Sequence, residues 1–262
     1  MNYQTANMAY EYGQGNQYVV LIHGFPSIPY DLMPLGQYLA NQGFHVIGVK
    51  LPGFGGTKEE LLQHADWQLW YEEIKRNINK IKLMQPKNIF VAGISMGGCA
   101  ALYTASQNSE IKSVVSINGP VLIKGFSHRL VGIMSKFIKY FETKDTDIPV
   151  RKPEAKKDPI IYELKKRYDF KGVLPAVAAE VKWFKQTNKN LKHIQQPLLI
   201  CQSAKDSIVW LKNPDYILSK VSSKEKKIIW YPNSDHDLIR DYDSAQCFED
   251  ILLFFNKFLE DE

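Results

Sequence analysis

Long hydrophobic runs and paired cysteines are both missing from this chain of 262 residues. No stretch approaches the roughly 18 consecutive apolar residues that a membrane-spanning helix needs. Residues 1–17 are polar and tyrosine-containing, without the basic segment and following apolar stretch of a secretory signal, so no such signal is expected. Cysteine is scarce: Cys99, Cys201 and Cys247 are odd in number, unrelated in spacing and each set in an apolar segment. That argues against a disulfide framework and a metal site, and for buried thiols in a reducing, cytoplasmic compartment. The net charge of +5 is too small to imply nucleic-acid binding. No internal repeat is present.

What is present is a globular composition, 45% hydrophobic and 12% aromatic, enough for a sizeable core. A chain of this length forms one α/β domain carrying an insertion. Apolar runs at 17–22, 44–49, 89–92, 113–117, 197–201 and 227–231 are continuous rather than alternating, as in strands covered on both faces. Helix-like patterns separate most of them, at 32–41, 67–83, 96–107, 214–221 and 243–259. The order predicts a mostly parallel central sheet flanked by helices.

About seventy residues intervene between the strand ending at Ile117 and the next, far more than a crossover needs. Residues 122–192 hold 17 Lys or Arg against 8 Asp or Glu, a net +9, leaving −4 for the rest. We read 1–121 and 193–262 as the core and 122–192 as a cap. Within the cap, Phe126, Leu130, Ile133, Met134, Phe137, Ile138 and Phe141 fall on one face at helical spacing. Charge and proline at 142–159 predict a surface loop, and helices are expected at 160–168 and 175–186.

The most informative stretch is Gly93-Ile94-Ser95-Met96-Gly97, between a strand-like and a helix-like segment. A nucleophilic serine must sit on a turn sharp enough to project its hydroxyl clear of the sheet, and flanking glycines supply the room. The alternative is an ordinary or phosphate-binding glycine turn, so partners for the serine decide. His236 follows the last strand, where a base reaches back to a nucleophile at the sheet's carboxyl edge. His45 begins an apolar strand and is expected to pack there, while His64, His128 and His193 fall in helix-like or cap segments. Asp206, just past the strand at 197–201, is the acid best placed to hold the His236 ring. Asp235 and Asp237 adjoin His236 and read as loop-forming.

The Met96 N–H is one donor for a developing oxyanion, and the Phe25 N–H, in His23-Gly24-Phe25-Pro26, is the second. His23 is expected to shape that loop. Cys99, one helical turn past Ser95, reads as core packing rather than a nucleophile. Leu51-Pro52-Gly53-Phe54-Gly55-Gly56-Thr57 lacks the spacing of a nucleotide-binding loop and reads as a tight turn beside the pocket.

These motifs make the chain resemble the α/β-hydrolase superfamily, within it the bacterial carboxylesterase and monoacylglycerol lipase group. The carrying residues are His23-Gly24-Phe25, Leu51-Pro52-Gly53-Phe54-Gly55, Gly93-Ile94-Ser95-Met96-Gly97-Gly98, Asp206 before Ser207-Ile208-Val209, and the late stretch through Asn233-Ser234-Asp235-His236 to Asp241-Tyr242-Asp243. The resemblance implies an α/β-hydrolase fold, a triad of Ser95, Asp206 and His236, and an oxyanion hole at Phe25 and Met96. One departure is Phe54, where many relatives carry histidine.

The expected activity is serine-dependent hydrolysis of short- to medium-chain carboxyl esters or monoacylglycerols, with no metal or cofactor. Phe126, Leu130, Met134 and Phe137 are candidates for lining an acyl pocket, with packing on the core as the alternative. The rival activities are an aminopeptidase or amide hydrolase on the same scaffold, and a slow-turnover ligand-binding receptor. The basic cap suggests transient contact with anionic lipid surfaces. Neither the physiological substrate nor the oligomeric state follows from these residues.

Overall fold

The computed structural model describes residues 1–123, 127–143, 149–169 and 171–259. The strands are β1 (Tyr10–Tyr12), β2 (Gln17–Ile22), β3 (His45–Val49), β4 (Asn88–Ile94), β5 (Ile111–Ile117), β6 (Tyr140–Glu142), β7 (Lys171–Val173), β8 (Leu198–Ser203) and β9 (Lys226–Tyr231). The helices are α1 (Tyr3–Ala6), α2 (Met33–Asn41), α3 (Lys58–Gln63), α4 (Trp67–Leu83), α5 (Met96–Gln107), α6 (Ser127–Met134), α7 (Pro159–Arg167), α8 (Leu174–Asn190), α9 (Asn213–Lys220) and α10 (Ser244–Asn256).

A seven-stranded sheet in the order β1-β3-β2-β4-β5-β8-β9 divides two helical layers. Its strands pair in parallel except at β1, which runs antiparallel to β3. Alternate residues of a strand point to opposite faces, and each face here finds its own core. Val20, Ile22 and Val91 pack with Trp70, Ile74, Ile78 and Trp183 of α4 and α8. Val19, Leu21 and Phe90 pack with Leu35, Leu39, Ile251 and Phe255 of α2 and α10. Because β4 is central and covered on both sides, it is buried along its whole length. That is the physical origin of its continuous apolar sequence.

Local signals explain the flanking elements. The α4 helix begins where the Asp66 side chain accepts from the Gln68 N–H. Its Trp70, Ile74, Ile78 and Ile81 form one buried stripe. Thr57 and Glu60 make a reciprocal capping box that starts α3, a helix the hydrophobic pattern did not reveal.

The long insertion departs from its sequence pattern. The apolar spacing through residues 126–141 predicts one helix, yet α6 stops at Met134. Tyr140–Glu142 instead pairs antiparallel with Lys171–Val173, bringing Phe141 opposite Gly172. Strand pairing across thirty residues of sequence wins there over a local helical period. The following α7 and α8 agree closely with expectation, and α8 packs against α5, the helix that Ser95 precedes.

Candidate active site

Ser95 stands between the end of β4 and the start of α5 with φ 54° and ψ −121°, a conformation disfavoured for a residue with a side chain. The turn is this tight because its neighbours lack one. A Cβ on Gly97 would lie 2.0 Å from the Ile22 carbonyl oxygen, and one on Gly93 would lie 2.2 Å from the Gly97 carbonyl oxygen. The Ser95 N–H donates to the Ile117 carbonyl at 2.8 Å, which ties the elbow to β5. Met96 opens α5, so its N–H belongs to the first helical turn and has no acceptor one turn back.

The loop after β2 closes on this elbow. A Cβ on Gly24 would come within 3.3 Å of the Ser95 Cβ, so glycine permits the approach. Phe25 follows, joined to Pro26 by a cis peptide bond. His23 is fully buried; its Nδ1 lies 2.9 Å from the Gly24 carbonyl, and its Nε2 accepts from the Leu51 N–H at 3.3 Å. Burial pushes its pKa down to about 4, which keeps it a neutral brace between two loops. Phe54 packs edge-on against the His23, Phe25 and Trp70 rings, filling apolar space behind the loop.

Asp206 and His236 arrive from the carboxyl ends of β8 and β9. His236 Nδ1 lies 3.1 and 3.0 Å from the two Asp206 carboxylate oxygens. The Asp206 side chain is wholly buried. It also accepts from the Ile208 and Val209 N–H groups at 2.9 and 2.8 Å and from the Gln202 amide at 3.2 Å, so its position is fixed independently of the ring. Asp235 shapes the loop, its carboxylate accepting from the Ser207 and His236 N–H groups.

Asn118 escaped the sequence reading. It is fully buried with φ 47°, and its amide donates to the His236 carbonyl at 2.7 Å and to Ser203 Oγ at 3.1 Å. Its Oδ1 accepts from the Ser203 N–H at 2.8 Å. One side chain thus pins the ends of β5 and β8 to the histidine loop. An asparagine in Asn-Gly-Pro carries no signal that separates this role from an ordinary turn.

Ser95, His236, Gly24 and Phe25 open on a cavity of about 510 Å³ whose walls are mostly apolar. Its far wall comes from the insertion, but the described residues that the sequence nominated for it stand elsewhere. Leu130, Met134 and Phe137 do not line it and stand 46, 43 and 84% exposed, while Phe126 lies outside the described residues. The wall is formed instead by Ile161 and Leu164 of α7, Val173 at the end of β7, and Val177 and Phe184 of α8, joined by Phe141 of β6, the one described member of the apolar face read from the sequence that does line the cavity. The reason is the early end of α6, which leaves its apolar face outward. Periodicity identified an apolar face correctly but could not say which surface it meets.

A buried ionic cluster adjoins the same cavity. The Arg240 guanidinium, 9% exposed, lies 2.6 Å from Asp158, 3.8 Å from Asp237 and 3.9 Å from Asp31, and donates to the Tyr30 carbonyl at 2.9 Å. The Tyr30 ring stacks under it at 4.1 Å. Three carboxyls thus share one cation. Burial pushes the Asp237 carboxyl up to about 7 and raises Asp31 as well, against the pull of Arg240. Asp158 also caps α7 by accepting from the Ile160 and Ile161 N–H groups, so Arg240 fastens the insertion to the loop that follows His236. Asp241 makes a second tie, accepting from the Arg151 and Lys152 N–H groups at 2.7 and 2.9 Å.

Cys99, Cys201 and Cys247 are buried free thiols, and Cys99 Sγ lies 3.1 Å from Thr187 Oγ1. Among the described residues no group of three or more His, Cys, Asp or Glu side chains could hold a metal ion. No helix among them is long and apolar enough to cross a membrane.

The family model for serine aminopeptidase, S33, matches residues 13–243. A thermostable monoacylglycerol lipase of Bacillus sp. (strain H-257) is 30% identical over 239 residues, covering 91% of this chain and 90% of that protein. A carboxylesterase of Bacillus subtilis (strain 168) is 25% identical over 93% of this chain and 94% of its own. Among solved structures, one from work on the metagenome-derived lipolytic enzymes LipS and LipT superposes with a TM-score of 0.85 at 21% identity, over 96% of this chain and 98% of its own. That likeness shows a common α/β-hydrolase fold, with the mostly parallel sheet expected of it.

Proposed function

Because the chain belongs to the serine aminopeptidase S33 family, we propose that it is a serine ester hydrolase of the carboxylesterase or monoacylglycerol lipase type, acting on short- to medium-chain acyl esters. The observation that carries this reading is the meeting of a strained Ser95, an Asp206-held His236 and the Gly24-Phe25 turn at one apolar cavity. Ser95 Oγ attacks the ester carbonyl while His236 Nε2 takes its proton, and Asp206 keeps the proton on Nδ1 and steadies the imidazolium. The backbone N–H groups of Phe25 and Met96 donate to the oxyanion of the tetrahedral intermediate. That intermediate expels the alcohol, which takes the proton from His236, and water then releases the acid by the same steps. An ester is favoured over an amide because the relatives of 30 and 25% identity are a lipase and a carboxylesterase. No step requires a cofactor.

A chain-length series of p-nitrophenyl esters on wild type and Ser95→Ala tests the mechanism. The variant is expected to lose about 10⁴-fold or more in kcat. Undiminished turnover in Ser95→Ala would refute it, and faster cleavage of peptide naphthylamides than of esters would favour the amidase alternative.

Residues 122–192 act in this reading as a cap, with α7, β7 and α8 toward the substrate and α6 toward solvent. Leu130, Ile133, Met134, Phe137 and Ile138 present an apolar outer surface in a segment of net charge +9, which supports transient contact with anionic lipid. Co-sedimentation with vesicles is expected to be stronger for anionic than for neutral lipid at low salt. Equal partition would sink this part of the reading.

A further inference from the structure

The wall that α8 turns to the cavity is interrupted by a carboxyl. Val173, Val177, Glu180 and Phe184 follow one another at spacings of four, three and four, the repeat of a single helical stripe, and all four line the cavity. Three of them are apolar. The adjoining stripe, Ala176, Ala179, Trp183 and Thr187, is buried, so α8 is held in one rotational setting. Glu180 therefore faces the cavity because of where its neighbours pack.

The surroundings of this side chain are those of an acyl pocket. Leu61 and Leu164 line the same cavity beside the stripe. Among the described residues no hydrogen-bond donor and no cation pairs with the Glu180 carboxyl, which is half-buried. Burial alone raises its pKa to about 8. At neutral pH Glu180 is mostly a protonated acid, able to donate one hydrogen bond and accept another. A plain alkyl chain offers it no partner, and burying an unpaired carboxyl against methylene groups is unfavourable.

We propose that Glu180 is a specificity-determining residue that selects acyl esters carrying a hydroxyl on the acyl chain over unsubstituted chains of the same length. The proposal rests on the ester-hydrolase reading of Ser95 and deepens it. A neutral hydroxyl, which can both donate to the carboxyl and accept from it, is the group recognised. Chain carbons on either side of that hydroxyl then lie against the flanking valines, Leu164 and Phe184.

The test compares p-nitrophenyl octanoate with the isomeric hydroxyoctanoates bearing the hydroxyl at successive carbons of the chain, and with an amino-substituted chain, on wild type, Glu180→Leu and Glu180→Gln. In wild type at least one hydroxyoctanoyl isomer is expected to exceed octanoyl in kcat/KM by about ten-fold or more. Glu180→Leu should abolish that preference and raise the octanoyl rate, while Glu180→Gln, which keeps a donor and an acceptor, should retain most of it. A wild type that prefers octanoyl to every isomer, a preference unchanged in Glu180→Leu, or a faster amino-substituted chain each overturns the proposal. None of those outcomes touches the esterase reading, which fails separately if Ser95→Ala hydrolyses the same esters as fast as wild type.

Discussion

Replacing Arg240 by methionine keeps the aliphatic stem and deletes the one guanidinium that Asp31, Asp158 and Asp237 share. The side chain is 9% exposed and the carboxylates 12, 13 and 14%, so water cannot take over the role of counter-ion. Removing one partner of a buried ion pair leaves an uncompensated charge and destabilises by about 3–5 kcal/mol. With about 2.1 cal/mol/K per residue of unfolding entropy, a loss of about 4 kcal/mol lowers Tm by about 7 °C in a chain of 262 residues. The sign of the pH dependence follows from linkage. Without the cation the Asp31 and Asp237 carboxyls, already raised by burial, rise further, and a raised carboxyl contributes stability below its unfolded pKa that is lost as pH climbs through the folded value. The deficit of Arg240→Met is therefore expected to be large near about pH 8 and to shrink near about pH 5. Urea denaturation followed by fluorescence of the buried Trp70 and Trp183 reads both points. Adding Asp158→Asn, which keeps the oxygen that caps α7, should recover about 1–2 kcal/mol by removing one stranded charge. A deficit below about 1 kcal/mol at the higher pH, or one equal at both, would refute the shared-cation account.

Three further outcomes are expected. Glu180, raised to about 8, takes up a proton on folding between about pH 4.5 and about pH 8, so its contribution to stability falls across that window; Glu180→Gln should gain about 3–4 kcal/mol relative to wild type between about pH 5 and about pH 8, and a constant difference would contradict it. Gly97→Ala drives a methyl to within 2.0 Å of the Ile22 carbonyl oxygen, and a loss of about 3 kcal/mol or more by thermal denaturation is expected, with an unchanged Tm as the contrary result. Asn118→Leu strands the Ser203 N–H and frees the His236 carbonyl, so both stability, by about 2–3 kcal/mol, and kcat should fall; a variant that loses neither would show that the asparagine holds nothing in place.

The core was legible because its signals are local and redundant. Gln17–Ile22 reads as a strand from its residues alone and is one, and the bounds of α4 and α5 agree with those of the apolar pattern. Gly93 and Gly97 flag the elbow in the same way, since the steric need for a missing side chain is written into the residue type. The insertion was less legible. Its apolar spacing from Phe126 to Phe141 fits a helix, but a pattern of that length cannot exclude a strand whose partner lies thirty residues on, and Phe141 joins such a strand. The edge strand β1 escaped for a related reason, being short and set in a polar segment. Asn118 and Arg240 were invisible because each acts through partners scattered across the chain: Ser203 and His236 for one, Asp31, Asp158 and Asp237 for the other.

The sequence by itself determined the layered α/β architecture, the exposed turn for Ser95, and the arrival of Asp206 and His236 at the same edge of the sheet. Hydrophobic period and glycine placement act within a few residues, and parallel strand order carries three distant loops to one side. Only the tertiary structure decided which face of the insertion looks inward. The choice depends on the β6–β7 pairing and on the packing of α8 against α5, contacts between segments far apart in the chain whose energies no local pattern encodes. Those contacts turn Leu130, Met134 and Phe137 outward and set Glu180 into the cavity wall.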